Sequence, residues 1–408
     1  MTLSEQQLKA FDLLDQGVNF FITGGAGCGK SFLINELASS DQLFKKLAIT
    51  ASTGIAAHQI NGMTIYCFAG IETGDKTSDY YMKHMHADVK KRWRETDVLI
   101  IDEISMLSCK VFNLLHDVAC GINQCFDELF GGIQVVACGD FYQLPPVNGD
   151  YVFKSDIWKQ YMTNILYLNQ CFRQNNDLEF FNALNEIRLG NVSEQSVQFL
   201  SKRHFLNDKE IDPNYTRLFF KRDEVFKYNE FKMNQIKSKP FVFRSKDEIK
   251  NPNTDIHFQI PVQVTVKVNA VVMLVKNINV EEGLCNGTVG TVSSIETNGV
   301  WVLINEKKVK IEIMKEEILD VSHSLIGSRT GLPLQLAFAL TVHKAQGMTL
   351  KKTVLNFNTR AFCKSLYYVS MSRVAKSSDM HLIHNDKLML ESILKCITSD
   401  IEVQHFYK

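Results

Sequence analysis

A glycine-rich turn between an apolar run and the start of a helix constrains this chain more than any other feature. The stretch is FFITGGAGCGKSFL, residues 20–33, and it fits G-x-x-x-x-G-K-[ST] from Gly24 to Ser31. Glycines let backbone N–H groups turn inward around a phosphate, and the helix that follows adds the positive end of its dipole. In such a loop Lys30 binds the β- and γ-phosphate oxygens, and the Ser31 hydroxyl binds Mg²⁺. The sequence therefore predicts a site for a nucleoside triphosphate.

Apolar strands alternate with helical segments on both sides of this turn. Such alternation predicts an α/β fold with parallel sheets and right-handed crossovers. In the first half we predict helices at 4–16, 30–38 and 108–126 and strands at 18–23, 47–51, 98–101 and 133–138. Residues 70–95 are polar and irregular and break this rhythm. We interpret them as the main part of an insertion at about 62–95 on the first domain.

The second half predicts a further α/β block that is interrupted by a β-rich segment. Ile165–Leu168 is predicted to open the block, with helices near 177–189, 193–203 and up to about 237, and strands near 217–220, 336–341, 353–357 and 379–383. Between 238 and 320 the residues alternate with period 2, and Asn-Gly turns lie at 286–287 and 298–299. We expect a small β-barrel there. The predicted domain limits are 1–160, 161–237, 238–325 and 326–408.

Composition narrows the class of protein without naming a partner. The chain has 408 residues, 45% of them hydrophobic and 22% charged, which is typical of a soluble globular protein. Lys+Arg and Asp+Glu both number 45, so any basic surface has to be local. We find no apolar stretch of membrane-spanning length and no secretory signal. Ten scattered cysteines without a C-x-x-C pair favour reduced thiols in an intracellular protein, cytoplasmic if bacterial or phage and nuclear or mitochondrial if eukaryotic.

Two carboxylates follow the apolar run VLII. Asp102 and Glu103 come directly after this predicted strand, and the carboxyl ends of parallel strands face the ligand crevice of such sheets. Acidic residues often follow buried strands, so the pair alone is a weak signal. Together with the phosphate loop upstream, it predicts that Asp102 holds Mg²⁺ and that Glu103 orients and deprotonates the attacking water.

Three further polar residues follow later strands. Gln143 in GDFYQLPP is able to contact the γ-phosphate, although the same stretch is also a plain turn ended by prolines. Arg173 in NQCFRQ and Arg373 in YVSMSRV are candidates for neutralising charge in the transition state. Spacing alone favours solvated surface arginines at both positions. The residues by themselves leave these alternatives open.

The order of motifs resembles that of the petite-integration-frequency (PIF) family of superfamily-one, group B DNA helicases, which is related to RecD and Dda. The similarity covers most of the chain. The matching segments are LSEQQ (3–7), GGAGCGKS (24–31), TASTGIAA (50–57), GMTIYCFAGI (62–71), IIDEISML (100–107), FGGIQVVACGDFYQLPPV (130–147), LNQCFRQ (168–174), VVMLVKNINVEEGLCNGTVGTV (271–292), LTVHKAQGMTL (340–350) and YVSMSRV (368–374). Cys28 and Tyr66 depart from the threonine and histidine that are common there, and the second departure puts a DNA contact in doubt.

The resemblance implies two RecA-like P-loop domains with parallel sheets, a small insertion in the first and an SH3-like β-barrel in the second. It implies an ATP-dependent DNA helicase that uses Mg²⁺, moves 5′-to-3′ on single-stranded DNA and unwinds tailed or structured duplexes. It also implies roles in DNA replication, repair, recombination and telomere maintenance, with G-quadruplexes among the substrates. We expect a monomer without a membrane partner. The alternatives are a DNA-dependent translocase that strips proteins without unwinding, and an inactive single-strand-binding subunit.

The resemblance also assigns residues to roles. The implied catalytic residues are Lys30, Glu103, Gln143, Arg173 and Arg373. The implied nucleotide contacts are Gln7, Gly25, Ala26, Gly27, Cys28, Gly29, Lys30, Ser31, Phe32, Asp102 and Gly347, with Ser31 and Asp102 as metal ligands and Gln7 reading the adenine. The implied DNA contacts are Thr53, Gly54, Thr64, Phe68, Phe141, His343 and Lys344; the two phenylalanines are candidates for stacking on bases, although either can belong to the core instead.

Overall fold

The structure is a computed structural model of the chain. It describes residues 3–39, 45–174, 176–207, 211–212, 215–250, 258–279, 282–284, 286–304, 306–319 and 325–408. Parts of the predicted β-barrel, including residues 280–281 and 285, lie outside the described residues, as does the end of that region at 320–324.

The elements follow each other along the chain as an α/β unit, a β-rich unit and a return to α/β. The strands are β1 Phe20–Thr23, β2 Leu47–Ala51, β3 Met63–Thr64, β4 Val98–Asp102, β5 Gln134–Gly139, β6 Asn164–Tyr167, β7 His204–Phe205, β8 Thr216–Phe219, β9 Phe241–Arg244, β10 Lys246–Ile249, β11 Gln263–Val266, β12 Val271–Leu274, β13 Val289–Glu296, β14 Gly299–Ile304, β15 Lys307–Glu312, β16 Met314–Leu319, β17 Leu325–Gly331, β18 Leu334–Leu336, β19 Ala339–Thr341, β20 Thr353–Asn356 and β21 Met380–Ile383. The helices are α1 Glu5–Asp15, α2 Lys30–Ala38, α3 Gly54–Gln59, α4 Ile65–Ala69, α5 Ser78–His84, α6 Ala87–Glu95, α7 Cys109–Asn123, α8 Asp156–Tyr161, α9 Leu178–Leu189, α10 Glu194–Ser201, α11 Arg222–Gln235, α12 Val342–Ala345, α13 Ser365–Met371, α14 Lys387–Lys395 and α15 Ile401–Phe406.

The first sheet has six parallel strands in the order β3-β2-β4-β5-β1-β6. Alternate residues of its central strands enter two separate apolar clusters, for example Phe21 in one and Phe20 in the other, so both faces are buried. Parallel strands that are buried on both faces read as continuous apolar runs, as VLII does. Strand β6 pairs with β1 and is the edge strand of this first sheet. The prediction that Ile165–Leu168 opens the second block is therefore wrong.

The second sheet has five parallel strands in the order β19-β8-β20-β21-β7. Helices α9, α10 and α13 pack with it around one apolar cluster that includes Leu184, Leu200, Leu355 and Val369. Two parallel sheets, each with its own core, confirm the predicted α/β fold.

The region between α11 and β19 is antiparallel. Its sheets have the strand orders β15-β14-β13-β12-β18, β10-β17-β16 and β11-β9. The first and third share a core that contains Phe243, Val266, Val272 and Val302. Strand β18 pairs with β12, although it lies beyond the predicted limit of this region at 325. The buried residues Leu332 and Leu334 continue the apolar alternation beyond residue 325, so the predicted limit was placed too early in the chain.

The segment 70–95 is ordered, which corrects its prediction as irregular. It contains α5 and α6, whose residues Tyr81, Val89 and Trp93 are buried in the core of the first domain. Val89 and Trp93 are four residues apart on α6, which is a helical spacing, but the charged residues between them obscure the pattern. In the part of the chain that the structure describes, no helix combines the length and the apolarity needed to cross a membrane.

Candidate active site

The phosphate loop joins β1 to α2 at the carboxyl edge of the first sheet. Gly24 lies at φ 156°, and a Cβ there would collide with the carbonyl oxygen of Leu168, so only glycine fits. Lys30, the first residue of α2, donates from Nζ to the carbonyl oxygens of Gly24 and Gly25 over 2.7 and 3.0 Å. Its ammonium therefore lies over the loop, where a phosphate needs a positive charge.

Residues from outside the first sheet bind the loop directly. The carbonyl oxygen of Gly27 accepts hydrogen bonds from the N–H groups of Phe172 and Arg173 over 2.9 and 3.3 Å. The N–H of Ala26 donates to the hydroxyl of Tyr368 on α13 over 2.6 Å. The phosphate loop is thus held by the segment after β6 and by α13 of the second sheet.

Asp102 ends β4 beneath the loop and is 3% exposed. Its Oδ2 accepts from Ser31 Oγ over 3.4 Å, and its Oδ1 accepts from the N–H of Glu103 over 2.8 Å. Burial, and then the negative charge of Glu103, raise the pKa of Asp102 to about 7, while Lys30 acts in the opposite direction. A buried carboxylate that costs free energy to ionise, next to a serine hydroxyl, fits a divalent cation, so Ser31 and Asp102 suit the predicted Mg²⁺.

Glu103 adopts φ 51° and ψ 42°, a left-handed backbone that residues other than glycine seldom adopt. This backbone lets the chain turn sharply at the end of β4. The Glu103 Oε2 atom accepts a hydrogen bond from Gln346 Nε2 of the second domain over 3.2 Å. Next to Gln346, the carbonyl oxygen of Gly347 accepts from Gln59 Nε2 at the end of α3 over 2.6 Å. Sequence reasoning assigned no role to Gln346 or Gln59. The one sequence signal was that Gln346 directly precedes Gly347, an implied nucleotide contact.

The two predicted arginines meet in the same cleft. Arg373 is 2% exposed and donates to the carbonyl oxygen of Val369 over 2.7 Å and to Ser372 Oγ over 2.7 Å. Arg173 Nη1 donates to the carbonyl oxygen of Ser372 over 3.0 Å. Burial lowers the pKa of Arg373 to about 10, and the positive charge of Arg173 adds to this effect. A buried and a half-buried guanidinium group side by side favour the binding of an anion between them.

A cleft of about 390 Å³ gathers these groups. Its lining includes predicted residues from both domains: Ala26, Gly27, Gly29, Lys30, Ser31, Phe32, Glu103, Gln143, Arg173, Gly347 and Arg373. It also includes Gln59, Phe172 and Thr349, which the sequence reasoning did not name. Gly25 and Cys28 instead line a neighbouring cavity on the other side of the loop. Burial raises the pKa of the Cys28 thiol, so this side chain stays uncharged next to the loop.

Gln7 lies beside Gly29 at the end of the loop, outside the lining of the cleft. The residue is 1% exposed, and its Oε1 accepts from the N–H of Ser4 over 3.0 Å in a capping box. Its Nε2 is buried and has no hydrogen-bond partner among the residues that the structure describes. Both Gln7 Nε2 and the Phe172 ring would lie 3.2 Å from a Cβ placed on Gly29. An unpaired donor and an aromatic ring beside a phosphate loop fit the recognition of a planar base.

Among the polar DNA candidates, Thr53 and Thr64 directly precede α3 and α4, and His343 and Lys344 lie on the short helix α12. Thr53 Oγ1 accepts from the N–H of Ala56 at the start of α3, where Gly54 also lies, and Thr64 Oγ1 accepts from the N–H of Cys67 at the start of α4, both over 3.2 Å. Lys344 on α12 donates to Gln335 Oε1 over 2.8 Å.

Two contacts show what surrounds these helices. The ring of His343 stacks on that of Phe362, with centroids 5.6 Å apart and planes 8° apart. The β-rich unit reaches α3 through Gly287, where a Cβ would lie 3.3 Å from Ile55 Cδ1. Because Gln59 at the end of α3 also binds Gly347 just after α12, these two helices and one loop of the β-rich unit lie near one another.

The two predicted stacking residues do not reach this surface. Phe68 and Phe141 are each 1% exposed and belong to the core of the first domain. The Phe68 ring packs edge-on against Trp93, with centroids 4.7 Å apart, and the Phe141 ring packs against Phe153 at 4.9 Å. Their burial contradicts the predicted role, because a ring that is enclosed on both faces has no face left for a base.

Asp140 is a further residue that sequence reasoning missed, although it belongs to the quoted stretch GDFYQLPP. It is fully buried, and its carboxylate accepts hydrogen bonds from Arg188 Nε and Nη2 over 2.9 and 2.8 Å. Arg188 lies on α9, so this ion pair joins the second domain to the turn that carries Gln143. The only signal in the sequence was an acidic residue directly after a buried strand.

A phosphate loop on one parallel sheet, faced by two arginines from beyond it, is the arrangement of a P-loop protein with two RecA-like domains. The chain belongs to the PIF1-like helicase family. The family model described as PIF1-like helicase matches residues 2–198, and the model of the DNA helicase Pif1 2B domain matches residues 256–295.

Relatives and solved structures agree with this assignment. The chain is 32% identical to the human ATP-dependent DNA helicase PIF1 over 99% of its own length and 63% of the human protein. It is similar to the crystal structure of Pif1 helicase from Candida albicans, with 31% identity, a TM-score of 0.87 and coverage of 100% and 99% of the two chains. It is also similar to Bacteroides Pif1 in complex with ADP-AlF3 and ssDNA, with 27% identity, a TM-score of 0.80 and coverage of 100% and 97%. The chain thus spans less than two thirds of the human relative.

Proposed function

We propose that this protein is an ATP-dependent DNA helicase that moves along single-stranded DNA and unwinds tailed or structured duplexes. The observation that carries the proposal is the cleft in which Lys30 and Glu103 of the first domain face Arg173 and Arg373. A site assembled from two domains is complete only when the domains are close together, so hydrolysis there is coupled to their relative position.

The residues divide the hydrolysis between them. Lys30 and the loop amides bind the β- and γ-phosphates, and Gln7 and Phe172 bind the base. When bound by Ser31 and Asp102, Mg²⁺ supplies positive charge to the phosphate oxygens. Glu103 accepts a proton from the attacking water, since its carboxylate lines the cleft and is held by Gln346. Gln143 contacts the γ-phosphate, and the two arginines neutralise the charge that develops in the transition state.

The surface around α3, α4 and α12 is the proposed track for single-stranded DNA. Thr53, Gly54, Thr64, His343 and Lys344 offer hydroxyl, backbone and cationic groups to phosphates, and such contacts bind DNA without reading its sequence. The solved Bacteroides relative was described with ssDNA, which supports the binding of single-stranded DNA by this protein. Opening and closing of the cleft changes the grip of each domain in turn, and we propose 5′-to-3′ movement of a monomer by analogy with the family.

The decisive experiment measures ATP hydrolysis with and without single-stranded DNA, followed by unwinding of 5′-tailed and 3′-tailed duplexes. We expect hydrolysis that depends on DNA and unwinding of the 5′-tailed substrate only. Lys30→Ala serves as the inactive control, because it removes the charge over the loop. Displacement of streptavidin from the strand end without strand separation would instead identify a translocase. No hydrolysis by the parent protein in the presence of DNA would refute the proposal.

A further inference from the structure

The segment 398–408 runs from the second domain back to the first, and we call it the strap. At its start, Ser399 Oγ donates to the carbonyl oxygen of Leu189 at the end of α9 over 2.7 Å. Its helix, α15, then lies on the first domain, where Val403 is fully buried. Lys154 Nζ and Glu402 form an ion pair of 2.9 Å there. The strap is therefore a second connection between the domains, in addition to the segment after β6.

Close packing fixes the strap at both ends. At the second domain, a Cβ on Gly190 would collide with the backbone of Ser399, so the backbones of these two segments are in direct contact. At the first domain, the Phe406 ring lies 4.7 Å from that of Phe153 and 5.0 Å from that of Phe141, measured between centroids. Such contacts leave the strap little freedom to shift without moving the core of the first domain.

The hydroxyl of Tyr407 joins two parts of the proposed site. It shares a hydrogen bond of 2.7 Å with Thr23 Oγ1 and accepts one from the N–H of Phe141 over 3.2 Å. Thr23 directly precedes Gly24 of the phosphate loop, and Phe141 lies two residues before Gln143. One oxygen atom therefore holds the base of the loop and the base of the Gln143 turn together.

The second domain grips the same turn through a buried ion pair. The Asp140 carboxylate pairs with Arg188 of α9 and also accepts from the N–H of Tyr142 over 3.2 Å. The carbonyl oxygen of Asp140 accepts from the N–H of Gln143 over 2.8 Å. The guanidinium of Arg188 lies 4.6 Å from the centroid of the Tyr142 ring, which in turn stacks on Tyr407 at 5.1 Å with planes 10° apart. A shift of α9 is therefore transmitted to Gln143.

We propose that Tyr407 is a positioning residue for ATP hydrolysis, whose hydroxyl fixes the Gln143 turn relative to the phosphate loop. Because Arg188 on α9 binds Asp140 of the same turn, the position of the Gln143 turn also depends on the position of the second domain. The inference rests on the proposed function and adds a role for the strap. Tyr407 does not line the cleft that contains Lys30 and Glu103, so its effect passes through Thr23 and Phe141. A small misplacement of a catalytic group lowers the rate without removing the binding of the ground state.

The test uses two substitutions that each delete one side of a single hydrogen bond. Tyr407→Phe removes the hydroxyl and keeps the stacked ring, and Thr23→Val removes its partner and keeps the shape. We expect each to lower the DNA-stimulated kcat roughly three- to tenfold with little change in the KM for ATP. The double variant should be no slower than either single variant, because both break the same link. Tyr167→Phe, in the same cavity but with its ring centroid 6.1 Å from that of Tyr407, is the matched control.

Each other result counts against the inference. A parent-like kcat in Tyr407→Phe would overturn it. So would a loss of kcat in Tyr407→Phe that is accompanied by a lower melting temperature and is absent from Thr23→Val, because the strap would then be only a structural anchor.

Failure of the proposed function is a separate outcome. If the parent protein does not hydrolyse ATP, the affinity for ADP with aluminium fluoride is compared with the affinity for ADP alone. Tyr407→Phe should weaken the former about as much as kcat was expected to fall and leave the latter unchanged. An unchanged ratio of the two affinities would overturn the positioning role without reference to turnover.

Discussion

Gln346 Nε2 donates a hydrogen bond to Glu103 Oε2 over 3.2 Å and thereby joins the second domain to the proposed catalytic base. Gln346 is 5% exposed and follows α12, which carries His343 and Lys344 of the proposed DNA track. Its neighbour Gly347 is bound by Gln59 at the end of α3. A continuous set of contacts therefore runs from α3 and α12, two of the three helices of the proposed DNA track, to one carboxylate.

Replacement of Gln346 should uncouple hydrolysis from DNA. Gln346→Ala removes the donor that fixes the Glu103 carboxylate, so we expect the DNA-stimulated kcat to fall about tenfold and the rate without DNA to change less. Steady-state ATPase assays with a titration of single-stranded DNA measure both rates. Gln263→Ala, at an exposed position of β11 outside the cleft, is the control. Equal losses with and without DNA would contradict a coupling role.

Replacement of Glu103 tests the base directly. Glu103→Gln keeps the size of the side chain but cannot accept a proton, so hydrolysis should fall by about a hundredfold or more while nucleotide binding persists. Fluorescent-nucleotide titration measures the binding, and single-turnover hydrolysis with DNA present measures the rate. A near-parent rate in this variant would show that another group accepts the proton.

Arg373 should not tolerate lysine. Its guanidinium is anchored by Val369 and Ser372 on one side and lines the cleft on the other, and a lysine ammonium cannot make this forked set of bonds. We expect Arg373→Lys to lower kcat by about a thousandfold, the lower range for arginines that act on a transferring phosphoryl group. Arg360→Lys, exposed in the same domain, should be neutral. An active Arg373→Lys variant would show that a positive charge without the guanidinium fork is enough at this position.

The sequence predicted residues with a fixed motif spacing better than residues that act through packing. Lys30, Glu103 and Arg373 meet as expected because phosphate chemistry requires those residue types. Phe68 was misassigned because an aromatic residue that packs in a core and one that stacks on a base look alike in a sequence. Tyr407 carried no motif at all, and only the folded chain brings it 384 residues back to Thr23.

Removal of one member of the Asp140–Arg188 pair should destabilise the protein strongly. Arg188→Met leaves the fully buried Asp140 carboxylate without its partner, and breaking such a pair costs about 3–5 kcal/mol of the free energy of unfolding. Thermal and urea denaturation measure this loss. Asp140→Asn with Arg188→Met should recover part of it, because the unpaired charge is then absent. Arg94→Met, on the basic last turn of α6, is the control. A melting temperature of Arg188→Met equal to that of the parent protein would contradict the assigned pair.

His381 should make the second domain sensitive to acid. It lies on β21 between the rings of Phe205 and Tyr215, with centroids 4.5 and 4.6 Å away. Burial lowers its pKa below the ordinary value, and the positive charges of Arg203 and Arg217 add to this effect. As the pH falls through about 6.5, the unfolded chain binds a proton on this histidine before the folded one does. Stability is therefore present above that pH and is lost as the pH falls towards the folded pKa.

The measurement is a series of melting curves between pH 8 and pH 5 for the parent protein and His381→Phe. Phenylalanine keeps a ring between its two aromatic neighbours and cannot be protonated. We expect the difference between the melting temperatures to be constant above about pH 7.5 and to shift in favour of the variant below about pH 6.5, because only the parent then loses stability at this site. His405→Phe, at an exposed position of α15, should follow the parent. Parallel curves for the parent and His381→Phe would show that the folded histidine takes up its proton at the ordinary pKa.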